Sequence, residues 1–352
     1  MSIETRSPSR RVLLAAVAAA PAVGLLVPDA ASASEVGLPA YLPVPAGSAG
    51  PPLNADGYYV GKIKGDLHWV TDGFYQAMFL STRDGVVLVD APPTIGGNLQ
   101  RAIDSVTLPA GRPSRVTHLV YSHSHADHIG AASLFGRKVE RIAHAETRQL
   151  LREAGDPNRP LPTTTFEDRF VLRVGGEQLV LSYHGPNHSP DNILIHAPAQ
   201  STLMAVDVLY PGWVPFKNLG VSQDIAGWKR MHDVIMSEPW TTFVGGHLGR
   251  LGTRADGQVQ RHYVADLERS VRETLRTLDP TPFFDEYGPQ GNGWAIFKGY
   301  LNEAATQAAR PVIDKYAGKL GAVDVFTPDN AFAMLEYLRI DVGLLGPFAV
   351  RP

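Results

Sequence analysis

Within the segment VYSHSHADHIGAA, residues 120–132, four titratable side chains crowd into six positions: His123, His125, Asp127 and His128. Burying such groups side by side is costly unless a cation gathers their lone pairs. His123 and His125 alternate, so both can face one ion, while Asp127 and His128 then turn toward a second position. A metal site takes about four ligands, so a fold built around this string must bring more to it from distant segments. Candidates follow at His188 in GPNHSPDN, Asp207 in LMAVDVLYPG and His247 in FVGGHLGR. Each stands at the end of a strand-like run or in the glycine-rich loop after one. Several strands can deliver side chains to one sheet edge in this way.

Composition narrows the ligand chemistry. The chain has no cysteine, so disulfides, thiolate ligands and a cysteine nucleophile are all excluded, and any metal must be held by histidine and carboxylate. With 352 residues, 44% hydrophobic and 19% charged, it has ample length for a large core. A formal charge of −3 gives no support to nucleic acid or anionic membrane as a partner. Residues 1–33 read as an export signal of the twin-arginine type. They carry Arg10 and Arg11, an apolar stretch from Val12 to Val27, and a small-residue site ending at Ala33. That stretch is interrupted by Pro21 and falls short of the roughly 20 residues a membrane span needs. The expected location is therefore the periplasm or the exterior, with no stable membrane span once the signal is removed.

Residues 34–56, rich in Pro, Gly, Ala and Ser, read as a linker or surface arm. From Gly57 onward the pattern is β: YYVGKIK, QAMFLST and GVVLVDAP are short apolar or alternating runs between turn residues. A helix is expected near Gly97–Val106. RVTHLVYS is then a β-branched run that ends just before the histidine string, which places the string on a strand-to-helix loop. VERIAHA reads as a strand and ETRQLLREAG as a helix stopped by Gly155. A second half repeats the theme, with TTTFEDRFVLRVGG, EQLVLSYHG, NILIHAP and STLMAVDVLYP, a helix at Asp224–Met236, the strand TTFVGGH and the helix VQRHYVADLERSVRETLRTL. Two strand-rich halves with interspersed helices predict sheets packed face to face with helices outside. Residues 279–352 differ, being helical throughout, with Thr327 expected to cap the last helix. They leave open a cover over the site, a homodimer contact or a brace.

The order His123-Ser-His125-Ala-Asp127-His128 followed by Ile129-Gly130, with His188, Asp207 and His247 behind it, resembles the ligand pattern of the metallo-β-lactamase superfamily. The likeness covers roughly Tyr58 to Leu278. It implies an α/β fold, an αββα sandwich holding two metals at one edge, with residues 57–278 as the catalytic domain and 279–352 as a helical C-terminal extension. GVVLVDAP is similar to the family's early strand, whose Asp90 would support the metal loop. Carried over, His123, His125 and His188 hold a first zinc, Asp127, His128 and His247 a second, and Asp207 bridges. Other divalent ions such as Fe, Mn or Co suit the same donors. Two such ions bring a shared water toward a pKa of about 7, and Asp127 orients it.

Two local matches resemble the cysteine-containing subclass of zinc β-lactamases: NHSPDN, and the Asn-Leu-Gly of KNLGVSQDIAGW. They make Asn218 the candidate oxyanion donor. Tyr210 stands where that subclass places the lysine that anchors the drug's carboxylate, and joins Asp127 and Asn218 as a catalytic candidate. Asp207 replaces the subclass's cysteine and His128 its basic residue, so the ligand set is similar to that of glyoxalase II and the acyl-homoserine lactonases. Attack of a metal-bridging hydroxide on the acyl carbon of an ester, lactone, thioester or amide is the chemistry common to both. The partner implied is a small molecule with a carbonyl group. The alternatives are zinc β-lactamase activity and a mononuclear iron persulfide dioxygenase. His68, Trp69, Phe74, Tyr75, Tyr210, Trp213 and Phe216 are candidates for the pocket wall. His144, His184 and His196 are expected to be structural.

Overall fold

The run GVVLV shows how the layers arise. As the strand Gly85–Val89, it sends Val86 and Leu88 into one apolar cluster and Val87 and Val89 into another. Successive side chains of a strand alternate between faces, and a strand apolar on both faces must lie between two layers. A computed structural model of the chain describes residues 39–348. The expected export signal, residues 1–33, lies outside the described residues, as does the start of the arm.

The first sheet runs in chain order: β1 (Tyr59–Lys64), β2 (Leu67–Thr71), β3 (Gln76–Thr82), β4 (Gly85–Val89), β5 (Val116–Val120), β6 (Glu140–His144) and β7 (Thr164–Phe166). β1 to β4 pair antiparallel, and β4 to β7 pair parallel. The second sheet holds β8 (Arg169–Val174), β9 (Glu177–Tyr183), β10 (Ile193–Ala197), β11 (Thr202–Met204) and β12 (Thr242–Val244), with β12 at one edge and β8 at the other. Between the sheets lie Leu67, Met78, Leu80, Val120 and Ile142 from the first, and Leu181, Ile195, Met204 and Val244 from the second.

Helices cover both outer faces. α1 (Asn98–Thr107), α2 (Ala126–Ile129) and α3 (Ala145–Ala154) pack on the first sheet through Leu99, Ile103, Ile129 and Leu151. After a short turn, α4 (Lys217–Val221), come α5 (Ile225–Ser237) and α6 (Arg254–Thr277), which pack on the second sheet through Trp228, Met231, Tyr263 and Leu267. The result is an αββα sandwich. The C-terminal helices α7 (Thr281–Tyr287), α8 (Gly293–Tyr316) and α9 (Val323–Ile340) extend the second helical layer, with Tyr300, Ala304, Met334 and Leu335 in the same cluster as Trp228. Among the described residues no helix is long and apolar enough to cross a membrane.

Three local expectations differ from what is observed. HWVT, expected to bring His68 and Trp69 to the pocket wall, lies instead in the fully buried strand β2. α6 begins at Arg254, five residues before the apolar period starts, because Thr253 and Asp256 form a reciprocal capping box. Thr327 does not cap α9, which starts at Val323. Thr327 is buried within it, with its hydroxyl 3.0 Å from that of Tyr263. A threonine before Pro328 favours an extended backbone, and the buried contact to α6 overrides that preference.

His232 on α5 is buried and neutral. Its Nδ1 lies 3.0 Å from the Trp228 carbonyl and its Nε2 faces Gln260 Nε2 at 2.8 Å. Burial lowers its pKa from 6.5 to about 4; the Trp228 and Lys229 backbone and Asp233 oppose the shift, and Arg261 adds to it. The unfolded chain thus binds a proton that the folded chain refuses, so stability falls as pH drops below about 6.5. Between about pH 7.5 and about pH 5 this group is expected to cost about 2 kcal/mol. Urea denaturation at the two pH values checks it: His232→Gln should flatten the pH dependence by that amount.

Candidate metal centre

All seven candidate ligands come from strand ends and the loops beyond them. β5 ends at Val120, and His123 and His125 follow in the loop that opens α2, on which Asp127 and His128 sit. Asp90, just past β4, is fully buried and accepts the Ser122 N–H at 2.8 Å. Ser122 Oγ in turn lies 3.0 Å from His123 Nδ1, which directs Nε2 inward. His188 is held by Asn187, whose Oδ1 accepts the His188 N–H at 2.8 Å and the Asn192 amide at 2.9 Å. Asn192 also donates to the Val206 carbonyl at 2.8 Å, tying this loop to the one that carries Asp207. Asp90 and Asp207 both adopt left-handed backbone (φ 63° and 62°), a conformation aspartate tolerates better than most residues.

His247 follows β12 and is fixed from the opposite sheet. Gln76, buried at the start of β3, donates through Nε2 to the carbonyls of Leu248 (2.6 Å) and Arg250 (2.9 Å) and accepts the Gly245 N–H at 3.2 Å. Tyr75 pairs with His247 as an isolated bridge and holds its ring 4.7 Å from that imidazole.

Asp207 is the hub. Its Oδ2 lies 3.1 Å from His188 Nε2, 3.1 Å from His128 Nε2 and 3.6 Å from His123 Nε2, and its Oδ1 lies 2.9 Å from His247 Nε2. Ring nitrogens also face one another, His125 to His188 at 3.0 Å and His128 to His247 at 3.1 Å. Asp127 Oδ2 is 3.5 Å from His128 Nε2 and 3.8 Å from His247 Nε2. The side chains fall into two groups, His123, His125, His188 and Asp207 in one and Asp127, His128 and His247 in the other. Within each, the donor atoms lie within 4.8 Å of one another.

The electrostatics agree. Burial alone would raise the Asp207 pKa, but His128, His188 and His247 overrule it and hold the carboxyl well below its ordinary range. Burial also lowers His188 to about 4 and holds His123 well below the ordinary imidazole value. For His128 burial is outweighed by Asp207, Asp127 and Asp90, which raise it to about 9. Protein protons therefore satisfy only part of the cluster. His123 Nε2 is fully buried without a hydrogen-bond partner. Inward-facing imidazole nitrogens around buried carboxylate fit divalent cations. The arrangement is consistent with a binuclear metal site.

The centre forms the floor of a cleft of about 430 Å³, walled by Phe74, Tyr75, Tyr210, Phe216, Val221 and Leu248. Tyr210 is buried, with its hydroxyl 3.5 Å from Asp207 Oδ1, so it serves the hub carboxylate and offers no anchor to an anion. Asn218 is not brought to the cleft. It is exposed in the left-handed turn of α4 and opens on a separate depression with Ser222 and Tyr337. The left-handed winding turns it outward and presents Gly220 and Val221 to the cleft instead. His68 and Trp69 are likewise no part of the wall: as β2 residues they are buried, His68 stacked on Phe79 and Trp69 between the sheets. Trp213 lines an adjoining cavity. His144 caps α3 by accepting the Glu146 N–H, and His184 Nε2 lies 3.0 Å from Ser182 Oγ. Asn187 and Asn192 bounded the NHSPDN match but carried no assigned role in the sequence, and Gln76 carried none either. A glutamine opening the apolar run QAMFLST was the one local sign.

Known proteins match this chain in part. The family model described as Metallo-beta-lactamase superfamily matches residues 70–279, more than half of the chain. The alpha subunit of 2,4-dinitroanisole O-demethylase from Nocardioides sp. (strain JS1661) is 26% identical over 197 residues, which cover 54% of this chain and 58% of that protein. Metallo-beta-lactamase IND-1 of Chryseobacterium indologenes is 30% identical over 151 residues, 40% of this chain and 60% of that protein. The chain thus spans less than two thirds of the length of these curated relatives. A solved metallo-beta-lactamase from Pontibacter korlensis superposes with a TM-score of 0.50 at 22% identity, covering 58% of this chain and 97% of its own, a likeness of fold.

A carboxylate placed between two groups of imidazoles should govern occupancy of both. Purified protein dialysed against divalent metal is expected to retain about two equivalents per chain, and Asp207→Ala about one or none. Elemental analysis reads the difference, and an unchanged content in the variant would remove Asp207 from the centre.

Proposed function

Because the chain belongs to the metallo-beta-lactamase superfamily, we propose that it hydrolyses small, uncharged carbonyl compounds: esters, lactones, thioesters or amides. The observation that carries this reading is the convergence of seven His and Asp side chains, with Asp207 between the two groups, on the floor of an apolar-rimmed cleft. In this reading His123, His125 and His188 would hold one cation and Asp127, His128 and His247 the other, with Asp207 within reach of both groups. Bound there, two divalent cations supply Lewis acidity, easing proton loss from water and polarising the acyl oxygen.

The chain's own residues do the rest. Asp127 is the one carboxylate of the cluster substantially open to the cleft, with its side chain 42% exposed. Its other oxygen, Oδ1, would accept the proton of the attacking water and return it to the departing oxygen, sulfur or nitrogen as the acyl bond breaks. Tyr210 donates to Asp207 and keeps that carboxylate oriented. Tyr75 holds the His247 ring in place. Phe74, Phe216, Val221 and Leu248 form a rim that excludes water from the bound substrate. No lysine or arginine is among the described walls of the cleft, which favours a neutral substrate.

That same feature weighs against a β-lactam carrying a carboxylate, since Tyr210, at the anchoring position, faces Asp207, and Asn218, the expected oxyanion donor, lies outside the cleft. The Nocardioides relative is a subunit of a 2,4-dinitroanisole O-demethylase, whose substrate fits an apolar-rimmed cleft and puts an aryl methyl ether among the compounds to test.

The metal-loaded protein should be assayed with aryl and alkyl esters, short and long acyl lactones, a thioester, 2,4-dinitroanisole, a chromogenic cephalosporin and a phosphodiester. Turnover of neutral carbonyl compounds is expected, and turnover of the cephalosporin or phosphodiester alone would sink the reading. Asp127→Ala should lower kcat by about 10²- to 10⁴-fold with an unchanged circular dichroism spectrum; full activity would rule out the assigned proton carrier.

A further inference from the structure

Beside His247 the start of α9 comes close to the cleft, where Ala322 and Phe326 line an adjoining cavity. This side cavity has a volume of about 110 Å³, and Tyr210, Phe216, His247 and Leu248 line both it and the main cleft. Trp213 and Phe326 close its far side. Phe326 belongs to α9 and meets Phe216 edge-on, with ring centroids 4.9 Å apart.

α9 is seated by contacts that go to this wall. The Gly321 N–H donates to the Gly212 carbonyl (2.9 Å), and the Val214 N–H to the Gly321 carbonyl (3.2 Å). Gly321 lies so close to the Trp213 indole that a Cβ would overlap it. Asn330, fully buried on α9, accepts the Leu219 N–H through Oδ1 (2.7 Å) and donates to the Pro215 carbonyl through Nδ2 (2.9 Å). That clamp holds four successive left-handed residues: Asn218, Leu219, Gly220 and Val221, with φ of 56°, 56°, 73° and 55°. Three are not glycine, and such a turn persists only where its surroundings over-determine it.

We infer that the side cavity is a subsite for one small apolar group on the leaving half of the substrate, a single aryl ring or a branched alkyl group, and that Phe326 sets its size limit. The inference rests on the hydrolase reading above. Size follows from volume: a dry cavity of about 150 Å³ accommodates benzene, and here a ring can leave one edge over the shared walls. Chemistry follows from the lining, which holds no lysine, arginine or carboxylate. The side follows from position. His247 groups with Asp127, the residue that returns a proton to the departing atom, and it borders the cavity, whereas His125 and His188 line only the main cleft.

Two ester series test it, one varying the alcohol of an acetate (methyl, isobutyl, phenyl, naphthyl) and one varying the acyl group of a methyl ester. In Phe326→Trp the phenyl-over-methyl ratio of kcat/KM in the alcohol series should fall about tenfold, mainly through KM. In Phe326→Ala the naphthyl-over-phenyl ratio should rise by a similar factor, while ratios in the acyl series move less than about twofold. Equal movement in both series, or movement in neither, overturns the assignment. Phenol binding, followed by ligand-observed NMR on the metal-loaded protein, separates this outcome from the fate of the hydrolase reading. Affinity lost about fivefold in Phe326→Trp, with no ester turned over, keeps the subsite and discards the hydrolase. Esters hydrolysed with unmoved ratios and unmoved phenol affinity do the reverse.

Discussion

A single buried carboxylate, Asp207, faces four imidazoles, and most of the molecule is arranged to make that tolerable. An isolated anion at this depth would be driven to accept a proton. Here His128, His188 and His247 reverse that tendency. The imidazoles of the cluster cannot all be protonated, because burial holds His123 and His188 down. A cluster with more lone pairs than protons is set for cations. The consequence is structural as well as chemical: the imidazoles are carried to Asp207 from beyond the ends of three strands, β5, β9 and β12, so both sheets must terminate at one edge.

Holding those ends together takes a scaffold of neutral amides. Gln76 reaches from the first sheet to the loop that bears His247. Asn187 and Asn192 join the His188 loop to the Asp207 loop. Gln260 binds the Tyr210 N–H and the Val208 carbonyl, and Trp228 donates to the Asp207 carbonyl at 3.0 Å. Each satisfies backbone groups in water-poor loops, where an unpaired one costs roughly 1–3 kcal/mol. Left-handed backbone at Asp90 and Asp207 adds local strain at the centre. Rigid neighbours keep it from relaxing.

The C-terminal helices brace the loops beside the cleft. They continue the helical layer over the second sheet, share its apolar cluster, and through Phe326, Gly321 and Asn330 reach the loops that rim the site. The donor set thus comes from the sandwich edge, and the extension braces the loops beside it.

Much of this was legible in the residues themselves. Alternation in GVVLV and the run RVTHLVYS announced strands because period two is a local property of the backbone. The string from His123 to His128 announced a cation because crowded donors have no cheaper use. His188, Asp207 and His247 were found by the same chemical argument, and the pattern of all seven pointed to the family. What the sequence by itself determined, then, was the layering and the donor set, both written in short-range pattern. Which side chains face the cleft was decided only in three dimensions. Asn218 turns outward because α9 clamps a left-handed turn more than 100 residues before it. Trp69 disappears between the sheets, Tyr210 turns inward to Asp207, and Gln76 becomes a brace across the sandwich. These outcomes depend on contacts between distant segments, and no local periodicity encodes them.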